Sequence, residues 1–107
     1  MTVLDDRRAT ARAKFSKEVE WAGSSGRLTG TISDIGPGGC FVLSGGVYDD
    51  GEIVRLYFPL SDGMKVEFMA EISNHEKEIG FAARFVDMTR SQREFLSSFI
   101  AMYQDAD

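Results

Sequence analysis

The sequence predicts a mainly β domain: a six-stranded antiparallel β-barrel with a C-terminal α-helix and a flexible N-terminal arm. Six short segments carry apolar residues at alternate positions or in brief runs, and glycine, proline or polar turns separate them at regular spacing. The final segment changes to a helical period. Closure into a barrel is favoured because it leaves no exposed sheet edge.

A single domain accounts for the chain. With 107 residues and 43% apolar side chains, it fits one modest core, so residues 15–107 are predicted to form the barrel and helix. Residues 1–14 show no apolar period and are predicted to form the arm. Charge interrupts every apolar stretch, and the sequence does not start with a basic and then an apolar region, so no membrane insertion or signal peptide is expected. These features predict a soluble cytoplasmic protein.

The arm carries a concentrated positive charge. Arg7, Arg8 and Arg12 fall within six residues, and residues 7–14 contain four cations and no acidic residue. Guanidinium groups are planar, permanently charged donors that suit a phosphate or a guanine edge. The net charge of −5 opposes DNA or RNA binding, which needs a broad cationic surface. The cluster therefore predicts a small ligand with two phosphates; the alternative is a solvated tail, partly neutralised by the aspartates at 5–6.

The first three strands follow from alternation and glycine turns. The first predicted strand carries Phe15, Val19 and Trp21 between polar residues and ends at the turn 23–26. The second has one face formed by Leu28, Gly30 and Ile32, and a hairpin joins it to the first. The third is the short apolar run Cys40–Leu43, bounded by glycines.

The next three strands are separated by a proline and by polar turns. Ile53–Phe58 is apolar on both sides and is predicted to cross the core, ending at Pro59. Lys65–Ile72 follows an Asp-Gly turn and has four apolar residues on one face, which makes it the clearest strand. Asn74–Glu78 is predicted to be a polar turn that precedes the sixth strand at 81–86.

The last element is predicted to be a helix at about 89–104. Thr89–Gln92 fits a capping box, in which two side chains satisfy two backbone N–H groups reciprocally. The apolar residues that recur at helical spacing are Phe95, Leu96, Phe99, Ile100 and Tyr103. This stripe is predicted to cover the open side or mouth of the barrel; the alternative is a dimer or partner surface.

A second motif, at residues 34–39, complements the arginines. Asp34 ends an alternating stretch, and three of the four residues at 36–39 are glycine. Backbone can therefore approach a ligand closely while the Asp34 carboxylate accepts its hydrogen bonds. An ordinary strand-ending turn is the alternative. Together with the arm, the motif predicts one site for a ligand that carries phosphates and purine donors.

The sequence shows no set of residues for catalysis or metal binding. His75 is the only histidine and Cys40 the only cysteine, and they are far apart. His75 is predicted to be a solvated surface residue; Glu76 and Glu78 could join it, but their spacing resembles no established metal site. Residues 36–39 lack the lysine and hydroxyl residue of a Walker loop. No enzymatic activity, metal or cofactor is expected, and Cys40 is predicted to be a buried apolar residue.

The two motifs resemble the signatures of PilZ domains, RRxxxR and (D/N)xSxxG. The matching residues are Arg7, Arg8, Arg12, Asp34, Gly36 and Gly39. Residues 51–56 and 79–86 also resemble later strands of that family, so the resemblance covers nearly the whole chain. The departure is Gly36, which stands where the family has a serine whose hydroxyl contacts the ligand.

The resemblance implies that the ligand is cyclic di-GMP, bound on the barrel surface and clasped by the arm. Arg8 and Arg12 would pair with phosphates and guanine, with Arg7 as a helper. Asp34 would accept from a guanine N–H edge, and Gly39 would permit the tight turn. Three further residues could line the surroundings, but alternation alone does not assign their faces: Phe41, Arg55 and Arg84.

The implied function is a single-domain receptor that relays the signal in trans to an unidentified downstream protein, in motility, biofilm formation or polysaccharide secretion. The absence of the serine hydroxyl at Gly36 motivates an alternative. In that alternative, the chain is a degenerate adapter that does not bind nucleotide and acts through protein contacts.

Overall fold

The structure, a computed structural model, describes residues 13–60 and 63–104. The elements in these residues are β1 (Ala13–Gly23), β2 (Gly26–Gly36), β3 (Gly39–Leu43), β4 (Ile53–Pro59), β5 (Lys65–Glu76), β6 (Gly80–Val86) and α1 (Arg90–Gln104). The strands form a closed antiparallel barrel in the order β1-β2-β3-β6-β5-β4. The predicted fold class is therefore confirmed.

The core fills the barrel interior because alternate strand residues point inward. The largest fully buried side chains are Trp21, Phe58, Phe68, Phe81, Ile32, Ile35, Leu56, Ile72, Leu96, Val19, Val42 and Val54. Burial of one such side chain contributes about 1.5–3 kcal/mol. Cys40 is buried in the same core, as predicted.

Strand β4 differs from its prediction. The sequence predicts that Ile53–Phe58, which is apolar on both sides, crosses the core, but only Val54, Leu56 and Phe58 lie inside. Ile53 is 49% exposed on the outer face. A strand in a closed single-layer barrel has one face toward the core and one toward solvent, so β4 does not cross the core.

Strand β5 is longer than predicted. The polar stretch Asn74–Glu78 is predicted to be a turn, but β5 continues to Glu76, and Asn74 and Glu76 pair with Ala82 and Gly80 of β6. A register shift within the ladder precedes this extension. Its side chains are exposed, so no apolar alternation reveals the pairing. The turn itself occupies residues 77–79.

The antiparallel order gives the barrel two distinct ends. At the helix end, β1 begins, the β2–β3 turn (37–38) reverses the chain, and α1 follows β6. At the loop end lie the β1–β2 turn (24–25), the β3–β4 loop (44–52) and the β5–β6 turn (77–79).

The helix end is covered by α1, as predicted. Thr89 Oγ1 accepts from the Gln92 N–H at 3.1 Å, and Gln92 Oε1 accepts from the Thr89 N–H at 2.8 Å, which confirms the capping box. The Gln92 Nε2 donates to the Glu67 carbonyl of β5 at 2.7 Å. Leu96 and Ile100 are buried, and Phe95 and Phe99 pack against the core; the side chain of Tyr103, the last residue of the predicted stripe, lies outside the described ones.

The loop end is closed by residues 44–52. Tyr48 packs edge-on against Trp21 and Phe81, with ring centroids 5.7 and 4.8 Å apart. The Trp21 indole N–H donates to Ser44 Oγ at 2.9 Å, and the Tyr48 hydroxyl donates to the Ser44 carbonyl at 3.0 Å. The polar atoms of both aromatic residues are therefore satisfied. Burial raises the pKa of the Tyr48 phenol.

Candidate functional site

Asp34 lies on the outer face of β2 near the helix end. It pairs with Lys14 of β1 and with Phe41 of β3, while its neighbour Ile35 points into the core. The Asp34 residue is partly exposed. Its backbone is therefore fixed by two ladders, and a carboxylate on the outer face can meet a ligand.

The glycine motif forms the hairpin that joins β2 to β3. Gly36 pairs with Gly39, and the exposed residues Pro37 and Gly38 form the turn between them. The Phe85 N–H of β6 donates to the Gly38 carbonyl at 2.9 Å, which fixes the turn to the barrel. The structure thus places Asp34 and both motif glycines on one hairpin at the helix end.

Gly39 has a structural reason to be glycine. A Cβ atom at this position would overlap the backbone carbonyl oxygen of Ala83 on β6. The resemblance implies that Gly39 permits the tight turn, but the constraint visible here is the close approach of the two strands. Gly38, in the turn itself, has open space around the position of a Cβ.

The three arginines of the predicted site, Arg7, Arg8 and Arg12, lie outside the described residues. The structure does describe where the following residues join the barrel. Ala13 pairs with Ile35, and Lys14 pairs with Asp34. Strand β1 therefore begins at Ala13, beside the glycine hairpin. This is two residues before Phe15, where the sequence predicts that the barrel begins.

Of the residues whose faces the sequence left open, Phe41 lies beside Asp34, and Arg84 lies one strand further away on β6. Phe41 is the direct cross-strand partner of Asp34 and is partly buried on the outer face. Arg84 of β6 pairs with Gly39 and forms an ion pair with Glu71 of β5. The face of the barrel that each of these residues occupies depends on strand register. Alternation within a strand as short as the five-residue β3 does not reveal that register.

Arg55, the third such residue, lies elsewhere. It is on β4, which pairs with β1 and β5 and shares no ladder with β2 or β3. Its guanidinium forms an ion pair with Glu67 at 3.0 Å. Arg55 therefore belongs to a different part of the barrel surface.

A groove of about 270 Å³ lies on the outer face near β1 and β4, and the described residues of the predicted site, Asp34, Gly36 and Gly39, do not line it. The Glu20 carboxylate on its wall accepts from Lys65 at 3.1 Å and from Arg27 at 3.0 Å, and these contacts lower the Glu20 pKa. Arg27 also stacks over the Tyr57 ring at 4.2 Å. Because both cations are already paired, the groove is a poor site for an anion.

His75 is exposed, as predicted, but it has specific contacts. Its Nδ1 lies 2.6 Å from Asp50 Oδ1, and its ring contacts the Tyr48 ring edge-on at 5.7 Å. Within residues 13–60 and 63–104, no three histidine, cysteine or carboxylate side chains converge in a way that could hold a metal ion. No helix in the described part of the chain is long and apolar enough to cross a membrane.

Comparison with known families and structures agrees with this architecture. The family model for the PilZ domain matches residues 6–102. The chain is similar to the PilZ domain with c-di-GMP of YcgR from Escherichia coli, with a TM-score of 0.76, 13% identity, and 94% of this chain and 93% of that chain covered. No curated protein matches it significantly.

Two further solved structures share the fold. The PilZ domain of CeSA from a cellulose synthesizing bacterium has a TM-score of 0.69 and 20% identity, with 87% of this chain and 97% of that chain covered. The Bacillus subtilis inhibitor of motility, MotI/DgrA, has a TM-score of 0.73 and 19% identity, with coverage of 94% and 52%. At these identities, the likeness is one of fold.

Proposed function

This chain belongs to the PilZ domain family, and from that membership we propose that it is a receptor for cyclic di-GMP that relays the signal in trans to a protein partner. PilZ domains are in general receptor or adaptor domains rather than enzymes. One structural neighbour, the YcgR domain, contains c-di-GMP. A cytoplasmic location and a role in motility, biofilm formation or polysaccharide secretion are part of the same proposal.

The observation that carries the proposal is the register at the helix end. Asp34 and Phe41 lie side by side on the outer face, next to the point where β1 begins at Ala13. Asp34 would accept from the N–H edge of a guanine, and the Phe41 ring offers an apolar surface against which a purine can stack. Arg12 immediately precedes Ala13 in the sequence, so the proposal requires no long linker between the two motifs.

The arginines would supply the positive charge. In this proposal, Arg8 and Arg12 pair with the phosphates and with guanine, and Arg7 assists. Charge-assisted, forked hydrogen bonds are stronger than neutral ones, so these residues should dominate the affinity. Arg84, already paired with Glu71, is not required.

Gly36 weakens the site without removing it. The family's serine hydroxyl would contribute one neutral hydrogen bond, which is about 0.5–1.5 kcal/mol, or roughly tenfold in affinity at most. A Gly36→Ser variant should therefore bind cyclic di-GMP more tightly than the wild type.

Isothermal titration with cyclic di-GMP tests the receptor function. The wild type should bind, and Arg8→Ala, Arg12→Ala and Asp34→Ala should each weaken binding by about tenfold or more. Arg90→Ala is the matched control, because Arg90 is 92% exposed on α1 and pairs only with Glu94 in the described contacts. Absence of heat from the wild type at saturating ligand, or an equal loss in Arg90→Ala, would contradict the proposal.

The adapter function is the second candidate, and Gly36 is the observation that favours it. In that case, the wild type does not bind cyclic di-GMP, and a partner copurifies equally with the wild type and with Arg8→Ala/Arg12→Ala. If Gly36→Ser alone restores nucleotide binding, the missing hydroxyl is what separates the two functions.

A further inference from the structure

Besides Ile53, the loop end of the barrel exposes three large apolar side chains. Leu43, Val47 and Ile79 are 40%, 74% and 53% exposed. Leu43 ends β3 and pairs with Gly80, and the Ser44 N–H donates to the Ile79 carbonyl at 3.1 Å, so Leu43 and Ile79 belong to adjoining chain segments. Val47 lies in the loop that crosses the same end of the barrel.

Backbone and side-chain contacts hold this loop in place. Ser25 Oγ donates to the Val47 carbonyl at 2.6 Å, and the Gly51 N–H donates to the Ile72 carbonyl at 2.7 Å. Between these anchors, the Tyr48 ring is buried against the core. The exposure of Val47 therefore belongs to an ordered surface.

Carboxylates share the loop end with these three apolar side chains. The exposed acidic residues of the loop and of the β5–β6 connection are Asp49, Asp50, Glu76 and Glu78. Lys77 is the only lysine or arginine in segments 44–52 and 75–80. Within segments 44–52 and 75–80, five acidic side chains thus stand against one basic side chain.

We propose that Leu43, Val47 and Ile79 form a docking surface for a protein segment that carries apolar side chains flanked by lysine or arginine. Apolar contact at the centre and opposite charge around it give affinity and a fast encounter, and the same carboxylates repel acidic proteins, nucleic acids and anionic membranes. The docking surface rests on the relay to a protein partner in the proposed function and locates it on the barrel.

The two proposed sites adjoin on β3. Leu43 and Phe41 are two residues apart on the outer face of this five-residue strand, which separates them by roughly 7 Å. A partner that covers Leu43 therefore reaches the surface proposed for the ligand, so bound peptide and bound nucleotide should affect each other.

A fluorescent peptide with leucine and lysine at helical spacing tests the docking surface, and a peptide with serine in place of leucine is its charge-matched control. Fluorescence anisotropy should show binding of the leucine peptide and a roughly tenfold loss with Val47→Ser/Ile79→Ser. The matched control variant, Met64→Ser/Met102→Ser, alters side chains that are 63% and 66% exposed at the helix end and should bind like the wild type.

Two charge variants distinguish an effect of the acidic residues at the loop end from an effect of the net charge of the protein. Asp49→Asn/Glu78→Gln should weaken peptide binding, whereas Asp87→Asn/Glu94→Gln, which changes the net charge equally at the helix end, should not. Equal losses in the two variants, equal binding of both peptides, or no binding would overturn the docking surface. Sedimentation showing self-association that Val47→Ser/Ile79→Ser abolishes would also overturn it, because the occupant would then be a second copy of this chain.

Titration of the same variants with cyclic di-GMP keeps the two proposals distinguishable. Loss of peptide binding by a variant that still binds nucleotide concerns the docking surface alone. If neither the wild type nor any variant binds nucleotide while the peptide binds as expected, the receptor function is contradicted and the docking surface is supported.

Discussion

The helix end and the loop end close the same barrel with different chemistry. At the helix end, phenylalanine rings without polar atoms meet across the mouth: Phe58 lies 6.4 and 5.7 Å from the rings of Phe95 and Phe99 of α1. At the loop end, the rings of Trp21 and Tyr48 each donate a hydrogen bond to Ser44. The first closure depends on apolar area and a helix cap, whereas the second also depends on direction, because each buried donor needs its partner.

This difference suits the two proposed roles. At the helix end, α1 covers the mouth of the barrel, and the neighbouring hairpin keeps Asp34 on the outer face, where the proposed ligand would bind. A loop with satisfied donors holds Val47 at a fixed place on the surface, as a docking surface requires. The predictions below test whether the two ends depend on these separate interactions.

Trp21→Ala should have the largest effect. The ring is fully buried and packs against Tyr48 and Phe81 at the loop end, so its removal leaves a cavity and should lower the free energy of unfolding by about 3–5 kcal/mol. Urea denaturation followed by circular dichroism measures this. A loss below about 1 kcal/mol would mean that the loop end does not close the core as described.

Ser44→Ala should have a smaller effect that is specific to the loop end. It removes the acceptor of the Trp21 N–H, which stays buried, and should cost about 1–3 kcal/mol in the free energy of unfolding. Ser73→Ala is the control, because the Ser73 hydroxyl donates to the Ala82 carbonyl at an exposed position and should change stability by less than about 0.5 kcal/mol. Equal effects of the two substitutions would show that the hydrogen bond from Trp21 to Ser44 does not stabilise the closure of the loop end.

Thr89→Ala tests the helix end through its cap. The Thr89 hydroxyl accepts from the Gln92 N–H, so its loss should cost about 1 kcal/mol. Thermal unfolding should show a modest fall in Tm, while Thr89→Ser, which keeps the hydroxyl, should stay near the wild type. If Thr89→Ser falls as far as Thr89→Ala, the hydroxyl is not the stabilising group.

Sequence reasoning succeeded where the interactions are local. The capping box spans four residues, and Asp34, Gly36 and Gly39 fall within six, so their spacing predicts one helix start and one hairpin. The Trp21–Ser44 bond joins residues 23 positions apart, and no local pattern indicates it. For the same reason, the face of Phe41 required the observed register. The roles of the arm arginines stay predictions.

The smallest expected effect is the pH dependence of stability that arises from Glu52, a residue of the loop end. Its carboxylate accepts from the Ser24 N–H at 2.6 Å and from the Asp49 N–H at 3.1 Å, and these hydrogen bonds lower its pKa below the usual 4.5. A carboxylate with a lowered folded-state pKa contributes stability above its unfolded pKa and loses it as pH falls through the folded pKa.

The wild type should therefore lose stability as the pH falls below about 4.5, partly through Glu52. Glu52→Gln keeps one carbonyl acceptor but does not titrate, so the difference in stability between the two proteins should shrink on acidification. Thr89→Ala, at the helix end, should keep a constant difference from the wild type over the same range, since no described contact couples it to Glu52. Urea titrations at stepwise pH measure both differences. A Glu52→Gln difference that stays constant with pH would show that the carboxylate charge does not stabilise the loop, and that the loop end depends on its buried hydrogen bonds and aromatic packing instead.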